Sequence, residues 1–282
     1  MLQYKLFKSE CGSSHYAVLL HGFGGNHRIW KYQIPLLQKK FNVIAIDLPS
    51  HGNNELKASQ IKATIDSICR EIVKVLDSLD IRKAVFLGVS LGTVFIRYME
   101  QFYKSYVEKA VLVGAVGKVN LLLRMTVSVF AKIGDKLPFY LVYKIFAKLL
   151  MPWKVSKKSR EVFCECAKAL NRKEFKAYMY IFKENFSFIK RFLENVHKEN
   201  LYITGRGDLC FIKGIKEEAQ ATQAEFIELD NCGHVCNIDQ KQIFNNILKD
   251  VLKINCRKGD LNENRQDNSG EILRGRNQKT AC

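Results

Sequence analysis

The sequence predicts an α/β fold: a mostly parallel β-sheet with helices on both faces and a helical insertion in its second half. Three observations predict it. Short apolar runs alternate with amphipathic stretches through the amino half. The runs are near-continuously apolar, as in strands buried on both faces of a parallel sheet. The alternation stops at residue 118 and resumes at 200, which reads as an insertion into one layered domain.

Taken in order, YAVLLHG (16–22) is an apolar run ended by glycine, hence a buried strand. Residues 29–39 carry Ile29, Trp30, Ile34, Leu36 and Leu37 at helical spacing, and FNVIAIDLP (41–49) is a second strand. Residues 59–79 form an amphipathic helix, with Ile61, Ile65, Ile68, Ile72, Val75 and Leu76 three or four apart. KAVFLGV (83–89) is a third strand, 91–104 a helix and KAVLVGAV (109–116) a fourth strand. After the insertion come NLYITG (200–205), a helix near 212–222, AEFIELD (224–230) and a last helix at 238–254. The expected organisation is a core of 1–117 and 200–255, a helical cap insertion at 118–199, and a disordered polar tail at 256–282, poor in apolar residues.

With 282 residues and 47% hydrophobic residues, the chain buries a substantial core, which excludes disorder of the whole. The net charge is +17, and the insertion holds 18 Lys/Arg against seven Asp/Glu. Such an excess suits a solvated face, an anionic membrane or an acidic carrier protein. No nucleic-acid-binding motif accompanies it, so nucleic acid is not an expected partner. The nine cysteines include no CxxC pair; reduced thiols in a cytoplasmic protein are the expectation. The first residues lack the apolar core of a signal peptide, and no apolar run is long enough to span a membrane.

The chemistry-bearing residues follow strands. Gly88-Val89-Ser90-Leu91-Gly92 matches G-x-S-x-G between a predicted strand and a predicted helix. A sharp turn there lifts the Ser90 hydroxyl to the carboxyl edge of the sheet. A serine nucleophile needs a base. Of six histidines, only His234, in Asn231-Cys232-Gly233-His234, follows a late strand. The base in turn needs a carboxylate to orient it. Asp208, in Gly205-Arg206-Gly207-Asp208, leaves the same edge, and Asp230 is the rival. His21-Gly22-Phe23-Gly24-Gly25 turns the Phe23 N–H inward, where with the Leu91 N–H it would hold an oxyanion. His21 is expected to bond its own loop.

HGFGG, Asp47-Leu48-Pro49-Ser50-His51-Gly52, GVSLG, GRGD and NCGH together resemble the α/β-hydrolase superfamily across about residues 1–255. They are most similar to its capped single-domain members, such as carboxylesterases and pimeloyl-carrier methyl esterases. The order Ser90, Asp208, His234 is the one this fold uses. The resemblance implies the α/β-hydrolase fold, a cap formed by the insertion, and a DLPxHG segment that shapes the site without joining the triad. Thr93 stands where many relatives carry another glycine. Dehalogenases and epoxide hydrolases of this superfamily use an aspartate nucleophile, which Ser90 argues against. Carbon–carbon bond hydrolases share the triad.

The expected activity is cleavage of a small-molecule carboxylic ester through an acyl-enzyme on Ser90, with no metal or organic cofactor. Thioester or carbon–carbon bond hydrolysis on the same triad is the alternative, and a non-catalytic binding module the more distant one. Within the insertion, Phe130, Phe146 and Trp153 are the candidates for an apolar acyl pocket, with Met125, Phe139 and Met151 beside them. They serve equally well to pack cap helices together.

Overall fold

The computed structural model describes residues 1–117, 138–192, 200–254 and 272–274. Its sheet contains β1 (Tyr4–Phe7), β2 (Tyr16–Leu20), β3 (Asn42–Ile46), β4 (Ala84–Val89), β5 (Val107–Val113), β6 (Leu201–Gly205), β7 (Glu225–Leu229) and β8 (Ile272–Arg274). The spatial order is β1-β3-β2-β4-β5-β6-β7-β8. β1 and β8 pair antiparallel at the two edges; every other pairing is parallel. This is the α/β-hydrolase fold.

The strands form where apolar runs can be covered on both sides. Every residue of β3, β4 and β6 is buried. The covering helices are α1 (Ile34–Gln38), α2 (Ile65–Ser78), α3 (Leu91–Phe102), α7 (Ile212–Thr222), α8 (Cys236–Asp239) and α9 (Lys241–Val251). Sequence patterning misses β1, a short run that lies antiparallel along β3 with Tyr4 opposite Ile46. It also starts α2 too early. Thr64 closes a capping box with Ser67, its Oγ1 accepting the Ser67 N–H at 3.1 Å and its own N–H donating to Ser67 Oγ at 2.9 Å. Before that cap, residues 57–61 close one turn of their own, with the Ile61 N–H on the Lys57 carbonyl, and the chain leaves it at Lys62 with φ 46°; Glu174 accepts the N–H and the hydroxyl of Ser59. The expected 238–254 helix is broken at Gln240 into α8 and α9.

The described part of the insertion is helical: α4 (Phe139–Leu150), α5 (Lys157–Cys166) and α6 (Arg172–Phe192). It is anchored on both sides of the sheet edge. On one side Glu174 also accepts from Ser50 Oγ, and the Tyr178 hydroxyl donates to the Pro49 carbonyl at 2.7 Å. On the other, the Ser156 and Ser159 hydroxyls donate to the Asp239 carboxylate. No described helix is long and apolar enough to cross a membrane.

Parallel register delivers the carboxyl ends of β2 to β7 to one edge. The chain runs from β2 leftward to β3 and then places β4 on the other flank of β2. The crevice of such a sheet opens where the order reverses, here between the ends of β2 and β4.

The polar tail differs from expectation at one place. Ile272–Arg274 lies along β7, with Ile272 opposite Leu229 and Arg274 opposite Ile227. An uncovered edge offers its backbone groups to any extended segment, and Ile272-Leu273 is the tail's one adjacent pair of large apolar residues. Three residues of edge pairing contribute little, and among the described residues the packed core ends at Ile254. A chain ending at residue 255 should therefore lose no more than about 4 °C in Tm, the shift that ~1 kcal/mol produces at this size. A thermal melt checks it, and a larger loss would make the tail part of the domain.

Candidate active site

Ser90 ends β4 and caps α3 at φ 51°, ψ −114°, a region that non-glycine residues occupy only under constraint. The constraint is visible on all sides. The Ser90 N–H donates to the Val113 carbonyl at 2.9 Å. A Cβ on Gly92 would lie 2.4 Å from the Leu20 carbonyl oxygen, and one on Gly88 2.6 Å from Ile96. Both elbow positions thus admit only glycine. Thr93, the departure from the family pattern, ties the turn down: its hydroxyl donates to the Ser90 carbonyl at 2.6 Å and accepts the Val116 N–H at 3.3 Å.

His234 Nε2 lies 2.8 Å from Ser90 Oγ, and His234 Nδ1 lies 2.8 Å from Asp208 Oδ2. Asp208 is fully buried and His234 nearly so; the Thr204 hydroxyl also donates to Asp208 Oδ2 at 3.3 Å. Phe211 packs against the imidazole with ring centroids 5.2 Å apart. The rival Asp230 faces outward and pairs with Arg206 at 2.6 Å. The structure therefore brings Ser90, Asp208 and His234 into one hydrogen-bonded chain and leaves Asp230 out.

Phe23 follows β2 and Leu91 follows Ser90 at the start of α3, so both lie at the end of the β2–β4 crevice. Leu91 is the first residue of α3, so its N–H has no helical acceptor. Among the described residues the Phe23 N–H also has no acceptor. The Phe23 carbonyl accepts from the Tyr143 hydroxyl at 2.9 Å, which fixes the peptide plane of the loop.

Two buried histidines hold that loop against the DLPSHG turn. His21 Nδ1 donates to the Gly22 carbonyl at 2.8 Å, while its Nε2 accepts the Leu48 N–H at 2.9 Å. His51 Nδ1 donates to the Pro49 carbonyl at 2.9 Å, while its Nε2 accepts the Gly24 N–H at 2.9 Å. Each ring must be neutral to accept at Nε2. Burial lowers the pKa of both, that of His51 to about 3, and His21 adds to the lowering at His51.

Over Ser90 and His234 lies an apolar cavity. The insertion contributes Tyr143, Phe146, Leu150, Met151 and Phe163, and the core contributes Phe23 and Phe211. Its free space is about 50 Å³, room for about four waters. Phe146 and Met151 stand where an acyl pocket would place them. Trp153 does not, which corrects the expectation. It is 46% exposed, and its indole Nε1 donates to the Gly207 carbonyl at 2.8 Å, because the chain leaves α4 at Met151 and crosses the GRGD loop. Phe139 packs on Tyr143 and Phe175. Phe130 and Met125 lie outside the described residues.

Asp239 carried no sequence signal, since a carboxylate in a Cys-Asn-Ile-Asp turn has no motif. It accepts the Ser156 hydroxyl at 2.7 Å, the Ser159 hydroxyl, and the Gly233 N–H at 3.2 Å. It thus links the insertion to the residue beside His234. Burial raises its pKa against the opposing pull of those hydrogen bonds.

Among the described residues no cluster of three or more His, Cys, Asp or Glu is placed to hold a metal ion.

Comparisons agree on the fold. A family profile described as alpha/beta hydrolase fold matches residues 18–149. Mouse bifunctional epoxide hydrolase 2 is 36% identical over 99 residues, 35% of this chain and 18% of that protein. A pimeloyl-[acyl-carrier protein] methyl ester esterase from Vibrio cholerae is 29% identical over 110 residues, 39% of this chain and 40% of that one. The chain thus spans less than half the length of these curated relatives. Among solved structures, the enol-lactonase from Burkholderia xenovorans superposes with a TM-score of 0.73 at 20% identity, covering 89% of this chain and 96% of its own.

The two histidines set an acid limit. Their folded pKa lies below the ordinary 6.5, so the unfolded chain binds more protons below that value. The stability they lend is present above pH 6.5 and is lost progressively from 6.5 down toward 3. Tm should fall across pH 6.5 to 4.5, and less steeply in His51→Gln, which cannot titrate. Parallel curves for the two proteins would show that His51 is not the titrating group.

Proposed function

We propose that this member of the α/β-hydrolase superfamily is a serine hydrolase that cleaves carboxylic esters with apolar acyl groups. The observation that carries the reading is the Ser90–His234–Asp208 hydrogen-bonded chain beneath an apolar cavity. His234 Nε2 takes the Ser90 proton as Oγ attacks the ester carbonyl. Asp208 holds Nδ1–H and stabilises the imidazolium. The developing oxyanion sits between the N–H groups of Phe23 and Leu91, each worth about 3–4 kcal/mol to the transition state. Collapse expels the alcohol, which leaves with the proton from His234, and the acyl group stays on Ser90. Water then repeats the sequence and releases the acid.

The cavity supports the substrate class. Its lining is aromatic and aliphatic, so it desolvates an alkyl chain at little cost. Its small free volume suits a short acyl group at rest. A longer one needs Phe146 and Met151 to move, and methionine is the side chain best able to. The same three groups serve for thioesters and for carbon–carbon bonds, and turnover of esters, thioesters and dienoates side by side separates these readings. Ser90 at the nucleophile position distinguishes the reading from epoxide chemistry.

A fluorophosphonate should label Ser90. Ser90→Ala and His234→Ala should each lower ester turnover by several orders of magnitude, and Asp208→Asn by about 10³–10⁴-fold. Asp230→Asn should change it less than about threefold. Undiminished turnover in Ser90→Ala would sink the reading, and a reversed order of the two aspartates would move the acid. In the same assay, Phe146→Ala should shift the optimum to longer acyl chains, while Trp153→Ala leaves it in place.

A further inference from the structure

Among the described residues nine large apolar side chains are exposed, and five of them fall in one short stretch: Leu141, Ile145, Leu149, Trp153 and Val155. The first three recur every four residues, so they form one stripe along α4. The opposite face of α4 is buried, and Tyr143, Phe146 and Ala147 on it line the cavity over Ser90. Leu209, 61% exposed, lies two residues beyond the Gly207 carbonyl that Trp153 bonds, which extends the apolar surface onto the core. Lys144, Lys148 and Lys154 are exposed within the same stretch. Residues 138–160 hold six Lys/Arg and no Asp or Glu.

A stripe of Leu, Ile and Trp set among lysines is the composition of a helix that lies in a membrane interface, and a half-exposed indole with a polar partner suits the headgroup level. We propose that the outward face of α4, with residues 152–155, docks on an anionic lipid bilayer. Charge decides between occupants. A second copy of this chain would bring the same cations face to face, and residues 118–137 carry four Lys/Arg against one Asp, so neither complements the surface. An anionic bilayer does, and it also accepts the apolar stripe. A docked chain holds the cavity over Ser90 about one helix diameter, roughly 10 Å, from the lipid. The docking surface does not depend on the hydrolase reading, since binding is read without turnover.

The test uses the full chain with vesicles of phosphatidylcholine alone and with about a third phosphatidylglycerol, at low and high salt. Each cation near an anionic surface multiplies binding about fivefold, so three of them should favour the anionic vesicles about a hundredfold at low salt, and most of that should vanish in high salt. Trp153 reports insertion directly: its emission should shift to the blue and be quenched by brominated lipid, while Trp30, the only other tryptophan and fully buried, stays unchanged. Ile145→Glu/Leu149→Glu should bind at least about tenfold more weakly with unchanged Tm and turnover of a soluble short ester. Equal binding to both vesicles, no binding, or an unquenched Trp153 would overturn the proposal. Soluble polyglutamate bound as tightly as the anionic vesicles, and weakened by the same double substitution, would overturn it in favour of an acidic protein. A dimer lost in that double variant, with no vesicle binding, would make the stripe an interface between copies. The quenching readout needs only the unsubstituted chain, so it stands even where the double variant fails to fold.

Discussion

The strained backbone at Ser90 is the constraint on which the rest of the site depends. A φ of 51° at a serine costs of order 1–3 kcal/mol, and it persists because the surroundings leave no alternative. The two glycines let α3 start hard against the Leu20 carbonyl, the Val113 carbonyl takes the Ser90 N–H, and Thr93 bridges the turn to Val116. The return is geometric. The hydroxyl projects from the sheet edge beside the start of α3, where the imidazole of His234 reaches it. A relaxed turn would direct the same side chain along the surface.

Much of this was legible in the sequence because the signals were local. All six parallel strands were readable from their apolar patterning, and the elbow, the GRGD turn and the NCGH turn each follow one. Parallel register then brings Ser90, Asp208 and His234 to one edge without further information. Asp208 and Asp230 separate only in three dimensions: one turns inward beside Thr204, the other outward to Arg206. What was illegible depends on contacts distant in sequence. Asp239 lies some 80 residues from the serines it holds. The Ser50–Glu174 bond spans 124 positions, and it ties the insertion to the DLPSHG turn.

Helix α4 shows a second limit of pattern reading. Its sequence, FYLVYKIFAKLL, is apolar almost all round, so periodicity alone does not say which face turns inward. The structure selects Val142, Tyr143, Phe146 and Ala147 as the buried set. Phe146 was identifiable as a large apolar residue in the insertion. Tyr143 was not, because its role rests on a hydroxyl that reaches the Phe23 carbonyl. Trp153 misled for the complementary reason. Its size argues for burial, yet its indole N–H finds a backbone carbonyl at the surface, and a satisfied donor removes the penalty for staying there.

The insertion is thereby more than a cover. Helix α5 carries Ser156 just before it and Ser159 in its first turn, and these grip Asp239, whose carboxylate also holds the N–H next to His234. Further along the same helix, Phe163 lies against the 21–25 loop, close enough that a Cβ on Gly22 or Gly25 would come within 3.2 Å of its ring. One helix therefore touches both the loop that carries His234 and the loop that carries Phe23. Any displacement of α5 that enlarges the cavity also pulls on Asp239 and lifts Phe163 from the loop. Interiors packed at this density transmit such shifts rather than absorb them. The size of group the cavity admits and the alignment of the Ser90–His234–Asp208 chain are set by the same element, so the two properties are physically coupled in this fold.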